Sequence, residues 1–272
     1  MDRTYLIGDE LGSGGFGFVV QATRQNDGLL CAVKFIYKDK IPSHAWVKDD
    51  FWGDEDDCNG ILRSKDGVKR TIQHRGVVSY VDLFEDQSYL YLVSPAMMRR
   101  SSCDLFECIE QHSRLPEHFA KYVFAQLVDV VGCLHYNGFV HRDIKDENIV
   151  IDDKYRVKLI DFGSTFLFDY RKEVPSLARF YGTMNFAAPE ILKKGTYQPI
   201  AAEIWSLGIL LTILVTGESF FRDTEAVKGY RASAPNSPIS ESCMDLIFRC
   251  LAYDPNDRWN CFRIRTHPWL AD

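Results

Sequence analysis

The chain has 272 residues, 46% hydrophobic and 26% charged, with a formal net charge of −6. That length suffices for one large domain or two lobes with a real core, and the composition is that of an ordinary soluble globular protein. The acidic balance argues against a general nucleic-acid or membrane-surface role and leaves room for a basic substrate.

The first ten residues, MDRTYLIGDE, contain no apolar stretch of the kind a secretory signal needs. The cysteines at 31, 58, 103, 108, 133, 243, 250 and 261 form no C-x-x-C pair and sit in apolar or helical patterns. They read as buried thiols in a reducing compartment rather than as a zinc site. The expected location is the cytoplasm, with the nucleus as the alternative.

The segments YLIGDELG, GFVVQATR and LLCAVKFIYKD alternate or run apolar, with glycine or Asn-Asp-Gly turns between them. VSYVDLFED and SYLYLVSP give two further strands. Ahead of these two, 41–64 holds the acidic, aromatic run WVKDDFWGDEDDCNG, which has no clear period and reads as a solvated face. From Asp104 onward the pattern turns helical. DLFECIEQH predicts a short amphipathic helix, and EHFAKYVFAQLVDVVGCLHYNG a long one stopped by Asn137-Gly138. The apolar run IWSLGILLTILVTG at 204–217 is shorter than the about 20 residues a bilayer requires and predicts a buried core helix. Residues 217–238 end in RASAPNSP, which is loop chemistry.

Two stretches carry chemistry. GSGGFGFVV sets Gly12, Gly14 and Gly17 in a G-x-G-x-x-G-x-V pattern, where glycines allow tight turns and bring N–H groups against phosphate oxygens. The pattern alone is weak, because a dinucleotide-binding loop shares it. Here strands flank the loop on both sides, whereas the dinucleotide loop opens a helix. The second stretch is HRDIKDENIVIDDKYRVKLIDFG at 141–163. It gathers Asp143, Lys145, Asn148 and Asp161, the groups needed to move a phosphoryl group from a metal nucleotide to a hydroxyl.

The order and spacing of these residues resemble the catalytic loop and metal-binding Asp-Phe-Gly of protein kinases. YGTMNFAAPE at 181–190, IWSLG at 204–208, DPNDRW and the closing HPW extend the resemblance over 5–270. DLFECI, HRDIKDENI, KLIDFGS and WSLGILL look most like PIM-type and PAS-domain-regulated serine/threonine kinases. The resemblance implies an α+β, bilobal kinase fold filling 1–272. Its strand-rich N-lobe would cover about 1–93, a hinge about 94–103 and a helical C-lobe about 104–272, with a nucleotide cleft between the lobes.

It also implies roles. Asp143 would orient the substrate hydroxyl, Lys145 would neutralise charge on the transferred phosphate, and Thr183 would bond both. Asn148 and Asp161 would supply oxygens to Mg²⁺. ATP would be held by Leu11, Gly12, Gly14, Gly17, Val19, Ala32, Lys34 and Val150, and at the hinge by Ser94, Pro95 and Met97. Glu190 would pair with Arg258. Arg142 could clasp an activation-segment phosphate or bond a backbone carbonyl. The expected partners are protein substrates with basic residues near the acceptor. Asp104, Glu107, Asp146 and Glu147 are the acids placed to read arginine, since a carboxylate matches the guanidinium fork. A further arginine-reading position falls on Ile213, which favours arginine three residues before the acceptor over a run of adjacent arginines.

The pattern departs from the family in two places. A small-lobe helix expected in GILRSKDGVKRTIQH carries Lys65 where a glutamate should pair with Lys34, and Lys69 at an apolar stacking position. The same segment holds Gly67, which costs about 1 kcal/mol relative to alanine in a helix. Asp66, Glu55, Asp56 or Asp57 could serve instead, or the pairing with Lys34 could be missing altogether. Glu203 stands where most kinases have aspartate. The leading reading is an active serine/threonine kinase using Mg-ATP. The alternative is a pseudokinase acting as a nucleotide-binding or scaffold module. Tyrosine specificity is disfavoured by Lys145 and by Gly182-Thr183.

Overall fold

The computed structural model describes residues 4–14, 17–40, 61–63, 69–72, 74–96 and 103–271. The chain divides into two compact units, Met1–Gln73 with Val78–Ser101, and His74–Val77 with Ser102–Asp272.

The first unit is built on a five-stranded antiparallel sheet. Its strands are β1 (Tyr5–Gly14), β2 (Gly17–Arg24), β3 (Leu30–Tyr37), β6 (Asp82–Glu85) and β7 (Tyr89–Pro95), in the order β1-β2-β3-β7-β6. Between β3 and β6 in sequence come β4 (Ile61–Arg63) and β5 (Lys69–Thr71), which pair separately and antiparallel. The β2–β3 turn is closed by Asp27, whose carboxylate accepts from the Leu29 N–H at 3.1 Å and pairs with Arg24. Gly28 completes this turn in the left-handed region at φ 71°.

Alternation sorts the sheet into two faces. Val20, Ala22, Cys31, Val33, Tyr91 and Val93 form the core with Tyr5. Aromatic rings continue it, Phe18 on Phe35 at 4.6 Å, Phe35 on Tyr91 at 4.9 Å and Tyr91 on Phe84 at 4.9 Å. The opposite face therefore carries Val19, Lys34 and Leu92 in one cross-strand row, with Gln21, Ala32 and Ser94 in the next.

One expectation is corrected here. GILRSKDGVKRTIQH does not give the expected helix in its described part. Ile61–Arg63 and Lys69–Thr71 are strands in register, Ile61 opposite Thr71 and Arg63 opposite Lys69. β-Branched Ile61 and Thr71 favour the extended backbone, and the Asp66-Gly67 dipeptide opposes helix continuity. Lys65, Asp66, Glu55, Asp56 and Asp57 lie outside the described residues, as does Met97.

The second unit is mainly helical. It opens with β8 (Cys103–Asp104), α1 (Leu105–His112) and α2 (Glu117–Tyr136), and α2 ends before Gly138 at φ 83°. Four short strands follow, β9 (Phe139–Val140), β10 (Ile149–Ile151), β11 (Val157–Leu159) and β12 (Phe166–Leu167), paired as β11-β10-β8 and β12-β9. Next come α3 (Pro189–Leu192), α4 (Pro199–Thr216), α5 (Thr224–Lys228), α6 (Glu241–Cys250), α7 (Cys261–Arg265) and α8 (Pro268–Ala271). α4 is the core helix its composition predicts. It is long and apolar enough to cross a membrane, yet 78% of it is buried within the protein.

His74–Val77, which the sequence reading assigns to the N-lobe, belongs to this second unit. Leu159 donates its N–H to the Gly76 carbonyl at 2.8 Å, and a Cβ on Gly76 would meet Val130 Cγ2 at 2.2 Å. Only glycine lets this segment lie so close to α2.

Candidate active site

The residues of 141–148 lie between β9, which packs against α2 and α4, and β10. His141 is fully buried, and its Nε2 donates to the Ile160 carbonyl at 3.0 Å while Nδ1 accepts the Asp143 N–H at 3.3 Å. Burial holds this imidazole below its ordinary pKa, in keeping with a neutral ring that donates from one nitrogen and accepts at the other. The Phe162 ring stands edge-on to it at 4.8 Å.

Asp143 is held on both carboxylate oxygens. Oδ1 accepts from the Thr183 N–H at 2.9 Å and from the Thr183 hydroxyl at 2.8 Å. Oδ2 accepts from Asn148 Nδ2 at 3.0 Å, and the same amide group donates to the Asp143 carbonyl at 2.8 Å. These bonds use the amide nitrogen of Asn148 and so fix which way its oxygen faces. Asp161 sits in the left-handed region at φ 58°, and its Oδ1 accepts from the Gly163 N–H at 3.3 Å. A non-glycine residue held there marks stored local strain.

Lys145 is placed differently from expectation. Its ammonium pairs with Glu147, not with Thr183. Burial would lower its pKa, but Glu147 and the charge of Asp143 outweigh that and hold it above the ordinary lysine value.

The loop is anchored from below by Glu203, buried on α4. Its Oε2 accepts the Arg142 N–H at 2.6 Å, and its Oε1 meets His135 Nε2 of α2 at 3.0 Å. Arg142 itself lies in the left-handed region at φ 67°. Its guanidinium donates to the Ser164 carbonyl and stacks beside Tyr181 at 5.0 Å and Phe166 at 5.9 Å. Of the two roles open to Arg142, the carbonyl bond is the one observed. Farther along, Arg258 grips Glu190 with two 2.7 Å bonds, as expected, and also donates to the carbonyls of Ala252, Ala201 and Tyr253.

In the first unit, Leu11, Gly12 and Gly14 lie on β1, while Gly17 and Val19 lie on β2. Val19, Ala32, Lys34 and Ser94 share the face opposite the core, and Pro95 closes β7 opposite Cys31. Gly17 is required by close approach, because a Cβ there would lie 1.7 Å from the Phe35 carbonyl oxygen. Gly12 has no atom within 4 Å of such a Cβ. Val150 stands on β10 of the second unit, opposite Asp104.

The four acids expected to read arginine fare unequally. Asp104 caps α1, accepting the Glu107 N–H at 2.8 Å. Glu147 is taken by Lys145. Asp146 is buried at 8% and faces a cavity of about 370 Å³. Burial, with Glu147 and Asp104 nearby, pushes its carboxyl above the usual range. Glu110, Glu218 and Ile213 line the same cavity. Sequence reasoning missed Glu110 and Glu218. Glu110 was within reach of it, lying one helical turn beyond Glu107 on the same face.

Residues 5–270 match the family described as protein kinase domain. The chain belongs to the protein kinase family. The kinase domain is 34% identical over 270 residues to the mouse (Mus musculus) PAS domain-containing serine/threonine-protein kinase, covering 99% of this chain and 19% of the relative. It is 34% identical over 275 residues to the zebrafish (Danio rerio) serine/threonine-protein kinase pim-2, covering 100% of this chain and 86% of the relative. A third relative, serine/threonine-protein kinase PSK2 of Saccharomyces cerevisiae, is 34% identical over 98% of this chain and 24% of its own length. The kinase domain thus spans about a fifth to a quarter of two of these relatives and most of the third. By these relatives it falls among the serine/threonine kinases.

Proposed function

We propose that this domain transfers the γ-phosphoryl group of Mg-ATP to serine or threonine hydroxyls of proteins, with arginine preferred near the acceptor. The observation that carries the transfer reading is Asp143, fixed on both oxygens by Thr183 and Asn148. A base held in one orientation can accept a hydrogen bond from a hydroxyl and aim its oxygen at phosphorus, and phosphoryl transfer asks for little more than positioning and charge neutralisation. Lys145 carries the positive charge for the transferred group.

The donor set suits magnesium. Asn148 and Asp161 offer an amide and a carboxylate oxygen, and Mg²⁺ is commonly held by one or two carboxylates plus substrate phosphates rather than by a full protein cage. Bound there, the ion would neutralise phosphate charge. The protein's own part is the fixed amide of Asn148 and the strained backbone of Asp161.

Arginine preference is supported by the Asp146 cavity. Three carboxylates face one space, and burial, which raises the Asp146 carboxyl above its usual range, makes a cation beside it favourable. Glu218 is itself bonded by Asn236. The test is an arginine scan of serine and threonine peptides with the wild-type domain and with Asp146→Asn. Transfer that favours arginine, with the preference reduced in the variant, supports the reading. Equal use of arginine-free peptides contradicts the preference while leaving transfer intact.

A further inference from the structure

The start of α1 carries a chemistry the kinase reading does not use. Asp104 is the helix cap, so Cys103 is the residue before the cap and Cys108 the fourth residue of the helix. Those two positions pack against each other where a helix begins, and two apolar side chains ordinarily fill them. Here both are thiols, and they lie near enough for each to act on the other's ionisation. Cys108 is buried and Cys103 is partly exposed, so a reagent in solution reaches the pair through Cys103. Cys31, Cys243 and Cys250, by contrast, are sealed at 0% exposure.

We propose that Cys103 and Cys108 are a redox modification site that closes to an intramolecular disulfide by exchange with a low-molecular-weight disulfide. The Cys103 thiolate attacks one sulfur of the reagent, breaks its S–S bond and releases one thiolate. The Cys108 thiol gives its proton to solvent and attacks the Cys103 sulfur, forming the new S–S bond and expelling the second reagent thiolate. Two protein thiols are oxidised and one reagent disulfide is reduced to two thiols. Burial raises both thiols, with Glu107 and Asp104 adding to the rise at Cys103. Closure is therefore slow at neutral pH and accelerates as pH rises, by roughly tenfold per pH unit while the thiols are mostly protonated. Thiols of this kind are also poor leaving groups, so the bond reopens slowly once made. The crosslink fastens the first turn of α1, with Asp104 and Glu107, to the strand paired with β10. It forms without any need for phosphoryl transfer.

The test uses the full chain and oxidised glutathione, at neutral and at mildly alkaline pH. Remaining thiols are blocked with iodoacetamide and the protein is cut with trypsin, which leaves 101–114 as one peptide containing both cysteines. The expected result is a peptide lighter by two hydrogens, free of label, that takes two labels after reduction and forms faster at higher pH. Full alkylation of both thiols, or pairing of Cys103 with a different cysteine, would overturn the proposal. In Cys108→Ala the glutathione adduct on Cys103 should persist. An equally lasting adduct in the wild-type chain would also overturn it.

Discussion

The two units hold their functional residues by different physical means. On the sheet of the first unit, Val19, Ala32, Lys34 and Ser94 share a face because strand register puts them there. Of the glycines ahead of them, Gly17 matters through backbone approach to Phe35, while Gly12 stands open. In the second unit the candidate active-site side chains hold one another, with Thr183 and Asn148 on Asp143, and Glu203 under Arg142. The first arrangement should tolerate side-chain exchange and resist backbone crowding. The second should do the reverse.

The largest test of that contrast is Asp143→Asn. It keeps the shape but weakens the acceptor, and transfer should fall by about 10²–10⁴, the usual consequence of losing a positioned general base. Nucleotide affinity measured by titration should change little. Next comes Arg258→Ala, which leaves Glu190 without the two bonds it receives from a fully buried guanidinium. Breaking such a pair should destabilise the domain by about 3–5 kcal/mol in urea unfolding.

A smaller effect is expected at Gly17→Ala, where overpacking against the Phe35 carbonyl should cost about 1–3 kcal/mol. Gly12→Ala meets no neighbour within 4 Å and should leave stability nearly unchanged. Equal losses at the two glycines would erase the contrast between close approach and open backbone.

The remaining test is a pH profile. Burial alone would lower His135, but Cys261 and Glu203 overrule it and raise it from 6.5 to about 10. Burial would raise Glu203, yet His135 and the Arg142 N–H hold it below its ordinary value of 4.5. The His135 contribution is therefore complete below pH 6.5 and is lost as pH climbs through its raised value. The Glu203 contribution is present above pH 4.5 and is lost as pH falls through its lowered value. Unfolding free energy measured against pH should show both losses, and Glu203→Gln should flatten the profile.

Much of the second unit was legible in the sequence, because Asp143, Lys145, Asn148 and Asp161 lie within one short stretch whose chemistry is local. α2 was legible from its periodicity and from the Asn137-Gly138 stop, and α4 from its apolar run. The strands at Ile61–Arg63 and Lys69–Thr71 were not, since the apolar residues there are too few to set a period. Burial of Asp146 was also hidden, because the cavity walls come from α1 and the end of α4, far apart in the chain. The same holds for His135, whose partner Glu203 lies 68 residues away. Lys145 pairs with Glu147, only two residues on, where the family motif pointed to Thr183.

The central claim is that this chain moves phosphate, and label transfer from radioactive Mg-ATP to an arginine-containing serine peptide, beside Asp161→Asn, tests it most directly. The account predicts incorporation by the wild-type domain that collapses in the variant. Incorporation no greater than that of Asp161→Asn, from protein that still binds nucleotide, would contradict it and make the domain a pseudokinase.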